Sequence, residues 1–140
     1  LNILENIRKS PSVAASVMIT TDKCYENKEW ERGYKETDRL GGFDPYSSSK
    51  ACAELLIKSF QNSYESESLA ISSVRAGNVI GGGDWANRRI VPDCIKSWKD
   101  KEKVEIRNPS STRPWQHVLE PLSGYLQLGA ELFLKNLPLT

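Results

Sequence analysis

Apolar residues in the first nine positions fall at Ile3, Leu4 and Ile7, the spacing of one helical face, and Ser10-Pro11-Ser12 stops the run. Val13 to Thr21 is small and apolar and ends in Val17-Met18-Ile19-Thr20-Thr21, which predicts a buried strand of a parallel sheet. From Cys24 to Phe43 the chain is polar, charged and irregular, with Glu26-Asn27-Lys28-Glu29 and Gly41-Gly42 as loop signals. Loops of that length inside compact domains are usually functional or disordered. Asp44-Pro45 then supplies an N-cap and a first-turn proline. The helix that follows is expected to reach about Tyr64, with Cys52, Leu55, Leu56 and Phe60 as its core stripe and Tyr46, Lys50 and Ala53 on a neighbouring face.

Leu69 to Ala76 reads as a second strand, rich in β-branched residues and ending in Arg75-Ala76-Gly77-Asn78. Gly81-Gly82-Gly83-Asp84 follows; it matches neither Gly-x-Gly-x-x-Gly nor a Walker loop, so a flexible turn is its better reading. Pro92 to Trp98 predicts a short helix, Lys103 to Arg107 alternates like a short strand, and Pro109 to His117 reads as a loop. A last helix is expected from near Pro121 through Leu126, Leu128, Leu132 and Leu134. Helices alternating with strands imply an α/β fold of parallel strands joined by right-handed crossovers, with ligands at the strands' C-terminal ends. Thr21-Asp22-Lys23, the start of the Tyr46 helix and Arg75 to Asn78 would all face that edge.

Composition alters this picture little. A length of 140 residues fits one domain, residues 1–140. Nineteen basic against 18 acidic residues leave a net charge of +1 with no recurring basic block, which argues against nucleic acid as a partner. No apolar run approaches a membrane span and no leader is evident ahead of the first helix, so a cytoplasmic protein without a membrane partner is expected. Cys24, Cys52 and Cys94 share no metal-ligand spacing, and the single His117 cannot complete a zinc set, so no metal is expected. Reduced, mostly buried thiols are the expectation, with Cys24 a packed thiol rather than a nucleophile. The chain begins at Leu1 in what reads as the middle of a helix, and the expectation is a piece of something longer.

The candidate chemistry starts from Tyr46-Ser47-Ser48-Ser49-Lys50. Residues i and i+4 share a helical face, and an ammonium beside a phenol favours the phenolate, which can take a proton from a substrate hydroxyl. The spacing by itself more often describes a half-buried Tyr beside a solvated Lys.

Taken together, a strand ending in Thr21, a Tyr46-x-x-x-Lys50 helix about 25 residues later and Arg75-x-Gly77-Asn78 after the next strand resemble the extended short-chain dehydrogenase/reductase family. Thr21, Tyr46 and Lys50 match its Ser/Thr, Tyr, Lys triad. Three further segments resemble the nucleotide-sugar 4,6-dehydratases within it, and the likeness extends over essentially the whole chain. They are Thr21 to Asn27, Gly77 to Trp85, and Arg113-Pro114-Trp115-Gln116-His117-Val118-Leu119-Glu120-Pro121-Leu122. The resemblance implies a partial Rossmann-like, doubly wound parallel sheet that binds NAD. Residues 81–120 would include part of the substrate-binding region. The family's N-terminal glycine-rich fingerprint and C-terminal sugar-binding lobe have no counterpart in the sequence, so a central fragment, inactive and unable to hold NAD tightly by itself, is expected. Arg88 stands where an acidic residue would precede Arg89.

The implied activity is an internal redox dehydration of a nucleotide-activated hexose, CDP-glucose to CDP-4-keto-6-deoxyglucose, in deoxysugar or O-antigen (lipopolysaccharide) biosynthesis by a homo-oligomer, dimer or tetramer. NAD+ takes a hydride from sugar C4, water leaves across C5 and C6, and the hydride returns to C6. By the resemblance Tyr46 removes the C4 hydroxyl proton, Lys50 supports Tyr46 and holds the nicotinamide ribose, and Thr21 hydrogen-bonds the same sugar oxygen. Asp22 would protonate the leaving C6 hydroxyl, and Lys23, where related dehydratases carry a Glu, would be the C5 base, for which it must be neutral. Asn78 would bind the substrate diphosphate or order the cofactor edge, and Arg89 and Arg113 would bind the substrate diphosphate, since guanidinium forks match phosphate oxygens. Trp115 suits packing or nucleotide stacking, and His117 is expected to be satisfied by its own loop. An epimerase or reductase of the same family would use the triad without Asp22, and a non-catalytic truncated fragment would use none of it.

Overall fold

A computed structural model describes residues 1–64 and 70–135. Its elements run α1 (Asn2–Lys9), β1 (Ser16–Ile19), a single 3-10 turn (Asp22–Cys24), α2 (Pro45–Ser63), β2 (Ile71–Val74), β3 (Val79–Ile80), α3 (Ile90–Lys99), β4 (Gln116–His117) and α4 (Leu119–Lys135). β1 and β2 pair in parallel, Ser16 opposite Ile71 through Ile19 opposite Val74. Both strands are shorter than their apolar runs, and Leu69, where the second was expected to begin, lies outside the described residues.

Alternation along β1 explains why helices cover the pair on both sides, the doubly wound arrangement. Met18 packs on one face against a cluster of Leu4, Ile57, Phe60 and Ile71, with Ile7 and Tyr64 beside it. Burial of each such side chain stabilises the fold by roughly 1.5–3 kcal/mol. Val17, one residue earlier, meets α4 on the other face, where its Cγ2 is 3.6 Å from the position a Cβ would take on Gly129. The crossover from β1 through α2 to β2 is therefore the expected α/β unit.

Several expected details differ. The buried face of α2 is Ser47, Ala51, Glu54, Ile57 and Phe60; of the expected stripe only Phe60 belongs to it. Cys52 is exposed, and Leu55 and Leu56 are 59% and 41% exposed. Apolarity alone did not set the helix's phase, because a buried carboxylate, Glu54, occupies the middle of the packed face. Of the three free cysteines, only Cys24 is fully buried, and Cys94 is partly covered.

Lys103 to Arg107 is not a strand and pairs with none of the strands among the described residues. Arg107 instead donates to the carbonyl of Arg88 at 2.9 Å and lies 3.7 Å from Asp93. The segment expected to be a loop ends in β4, which pairs in parallel with β3, Val79 opposite Gln116 and Ile80 opposite His117. α4 begins at Leu119 rather than Pro121; a proline fits inside the first turn, whose amides have no helical acceptor.

Candidate active site

Thr21 leaves β1 with extended backbone and caps the 3-10 turn, its Oγ1 accepting from the Lys23 amide at 3.4 Å. The same hydroxyl donates to Asp22 Oδ1 at 3.1 Å. The Asp22 amide donates to the carbonyl of Ala76 at 3.0 Å, which ties this turn to the extension of β2. Two consecutive polar side chains are thus held at the C-terminal end of the parallel pair.

Asp44 fixes the start of α2. Its Oδ1 accepts from the amides of Tyr46 (2.9 Å) and Ser47 (3.1 Å), and its Oδ2 from the Ser47 hydroxyl at 2.6 Å. The Ser47 hydroxyl above all, then the two amides and nearby Lys23, holds this carboxyl below the ordinary aspartate range. Gly42 touches the same turn: a Cβ there would sit 2.1 Å from the Ser48 amide nitrogen, so the loop reaches α2 only with glycine at this position. Tyr46, in the first turn, is 53% exposed, and Lys50 Nζ lies 5.8 Å from the centroid of its ring.

A cleft of about 1000 Å³ opens at this edge. Thr21, Asp22, Lys23, Tyr46, Asn78, Arg89 and Arg113 all line it, together with Trp115; Lys50, half-buried, is not part of its wall. Pairing of β3 with β4 carries the second half of this lining. The Gln116 amide donates to the Asn78 carbonyl at 3.0 Å and the Val118 amide to the Ile80 carbonyl at 2.9 Å, which brings Arg113 and Trp115 opposite Asn78. Gly77 permits the approach, since a Cβ there would stand 2.6 Å from Pro114 Cγ. Arg113 spends one donor on the Thr112 carbonyl at 2.7 Å. His117 Nδ1 accepts from the Leu119 amide at 3.3 Å, a local role at the head of α4. Among the described residues no cluster of His, Cys, Asp and Glu suits a metal ion, and no helix is long and apolar enough to cross a membrane.

Behind the cleft lies a group that the sequence reading did not single out. Glu54, 3% exposed, accepts from Arg75 Nη2 at 2.6 Å, from Ser73 Oγ at 2.9 Å and from Thr20 Oγ1 in a short hydrogen bond. Burial pushes its carboxyl upward, but Arg75, Thr20 and Ser73 together outweigh burial and hold it below the usual range. Burial likewise opposes the charge of Arg75, and its bonds to Glu54 and Tyr25 more than offset it, so the guanidinium is held more firmly protonated than usual. The available signal was spacing: Glu54 follows Tyr46 by eight residues and Lys50 by four, on one side of α2.

Parallel strands covered by helices on both faces, with a polar cleft at their C-terminal ends, define a Rossmann-like α/β protein of the nucleotide-binding class. The sequence model of the NAD dependent epimerase/dehydratase family matches residues 1–131, and the chain belongs to that family. It is 51% identical over 142 aligned residues to the CDP-glucose 4,6-dehydratase of Salmonella typhimurium, covering 97% of this chain and 40% of that protein. The chain therefore spans about two-fifths of that relative's length. Among solved structures, dTDP-glucose 4,6-dehydratase from Bacillus anthracis in complex with NAD superposes with a TM-score of 0.79 at 24% identity, over 91% of this chain and 40% of that one. UDP-N-acetylglucosamine 4-epimerase from Methanobrevibacter ruminantium, in complex with UDP-N-acetylmuramic acid, gives 0.77 at 23%, over 93% and 41%. These likenesses show the NAD-binding dehydratase/epimerase fold.

Proposed function

We propose that this chain carries the catalytic centre of an NAD-dependent CDP-glucose 4,6-dehydratase. The observation that carries the reading is the convergence of Thr21, Asp22, Lys23 and Tyr46 on one cleft in a chain half-identical to such an enzyme. Tyr46 lines the cleft and would meet the cofactor there, while Lys50, one turn along α2 with its ammonium 5.8 Å from the Tyr46 ring centroid, lies behind that wall and would hold the nicotinamide ribose. When bound, NAD+ supplies the hydride acceptor and returns the hydride, so the reaction is redox-neutral.

The chain's own groups handle protons and position. Tyr46 takes the proton of the sugar C4 hydroxyl while Thr21 hydrogen-bonds that oxygen. A C4 ketone makes the C5 proton acidic, and Lys23, when neutral, is the candidate to remove it. Asp22, when protonated, delivers its proton to the C6 hydroxyl, which leaves as water. Arg89 and Arg113, which line the cleft, bind the diphosphate, and Asn78 binds it or orders the cofactor edge. CDP-glucose is thereby converted to CDP-4-keto-6-deoxyglucose and water, an early intermediate for deoxysugar or O-antigen synthesis in the cytoplasm. An epimerase would need no acid at position 22, and the Asp22-Lys23 pair at the strand end favours dehydration.

The test is to incubate the full-length protein with CDP-glucose, dTDP-glucose and GDP-mannose and to follow the alkaline enone absorbance of a 4-keto product. CDP-glucose alone is expected to give the signal. Recovery of a C4 epimer, or preference for another nucleotide, overturns the reading.

A further inference from the structure

Asp22 and Lys23 sit on a turn of a few residues, and Tyr46 and Lys50 sit on a separate helix. Proton transfer in the cleft needs these two segments in a fixed relation, and a misplacement of about 1 Å can cost on the order of a hundredfold in rate. The turn packs directly on α2, but its hydrogen bonds run elsewhere: to its own Thr21, to the Ala76 carbonyl, and from the Gly41 amide to the Cys24 carbonyl at 2.9 Å, while the Asp44 cap belongs to α2.

A buried ion pair adds directional bonds to that packing. Glu54 lies eight residues beyond Tyr46, about 12 Å along the helix axis, and its carboxylate grips Thr20, Ser73 and Arg75. The other arm of Arg75 donates to Tyr25 Oη at 2.9 Å and to the Glu36 carbonyl at 3.3 Å, and the guanidinium lies 5.0 Å from the Tyr25 ring centroid. Thr20 and Tyr25 are the residues just before and just after Thr21-Asp22-Lys23-Cys24. One ion pair therefore holds both ends of the turn that carries the acid and the base, and it does so from the helix that carries Tyr46.

Stability does not explain such a pair well. Replacing a buried ion pair by apolar groups of similar size is often neutral or stabilising, whereas directional hydrogen bonds fix rotation and register in a way that apolar contact, being non-directional, does not. Resting on the catalytic reading above, we propose that Glu54 and Arg75 are positioning residues that lock the Thr21–Cys24 turn against α2, so that Asp22 and Lys23 meet the same sugar ring as Tyr46.

Cys24 offers a readout independent of turnover. It lies inside the clamped segment at 0% exposure, and a loosened turn exposes its thiol. The test compares the full-length wild type with Glu54→Gln and with the double variant Glu54→Leu/Arg75→Met. It uses thermal melting, steady-state kinetics and maleimide labelling of native protein, with peptide mass spectrometry separating Cys24 from Cys52 and Cys94. The double variant is expected to melt near the wild type. Its Cys24 should label about tenfold faster or more, and its kcat should fall about tenfold or more with KM changed less than about threefold. Wild-type kcat in a folded double variant overturns the proposal, whatever Cys24 does. Should the double variant not fold, Glu54→Gln decides: Cys24 labelling faster than its global unfolding allows, with reduced kcat, supports the clamp, and wild-type labelling and kcat remove it. A wild type inactive on every nucleotide sugar sinks the functional reading instead, and Cys24 protection then decides whether the clamp exists.

Discussion

Glu54 is a carboxylate at a helix position where the apolar pattern calls for a core residue, and its protonation has a consequence that can be measured. Its folded-state pKa is depressed by Arg75, Thr20 and Ser73 against the upward push of burial. A depressed carboxylate contributes stability above its unfolded pKa of about 4.3, and that stability is lost as pH falls through the folded value. The melting temperature of the wild type should therefore drop as pH is lowered below about 4.3, and Glu54→Gln should make that part of the profile shallower. Differential scanning calorimetry across acid pH checks it; an unchanged slope in the variant assigns the acid sensitivity to other carboxylates. Lys23 belongs to the same scale. Lys23→Met is expected to abolish exchange of the sugar C5 proton with deuterated solvent, followed by NMR, and undiminished exchange removes Lys23 from the role of base. Asp44, Tyr46 and Lys50 were legible from local rules of capping and helical spacing. Glu54 was not, because its three partners come from positions 20, 73 and 75 and meet only in the folded chain.

At the level of elements, α2 links the core to the cleft. Ile57, 3% exposed, packs with Leu4, Phe60 and Ile71, and Ile57→Ala should destabilise the protein by about 2–5 kcal/mol, read from urea denaturation. The other end of the helix depends on Gly42. A methyl group there would overlap the Ser48 backbone, and backbone cannot rotate aside as a side chain can, so Gly42→Ala should displace the loop from the first turn of α2. Loss of turnover together with a lowered melting temperature is the expected outcome; wild-type values for both would show that the loop absorbs the methyl. The strand periodicities predicted β1 and β2 with ends a few residues too long. They missed β3 and β4 and proposed a strand at Lys103–Arg107, since a two-residue strand has almost no periodicity to read and alternation alone does not make a segment pair.

For the molecule as a whole, Gly77, Gly81 and Gly82 line the cleft, but no Gly-x-Gly-x-x-Gly occurs in the 140 residues. Titration of NAD into this 140-residue chain by calorimetry should accordingly show no micromolar binding, and micromolar affinity would refute that expectation. The sequence by itself determined the α/β alternation and the helix capped by Asp44, and it named Thr21, Asp22, Lys23, Tyr46 and Lys50 as candidates, of which Lys50 does not line the cleft; each of these rests on local preference, short spacing or a motif. Only the tertiary structure decided which face of α2 is buried, that β3 and β4 carry Arg113 and Trp115 to Asn78, and that Glu54 and Arg75 join the helix to the Thr21–Cys24 turn. Those outcomes depend on contacts between residues tens of positions apart, and such contacts exist only once the parallel strands have brought their ends to one edge.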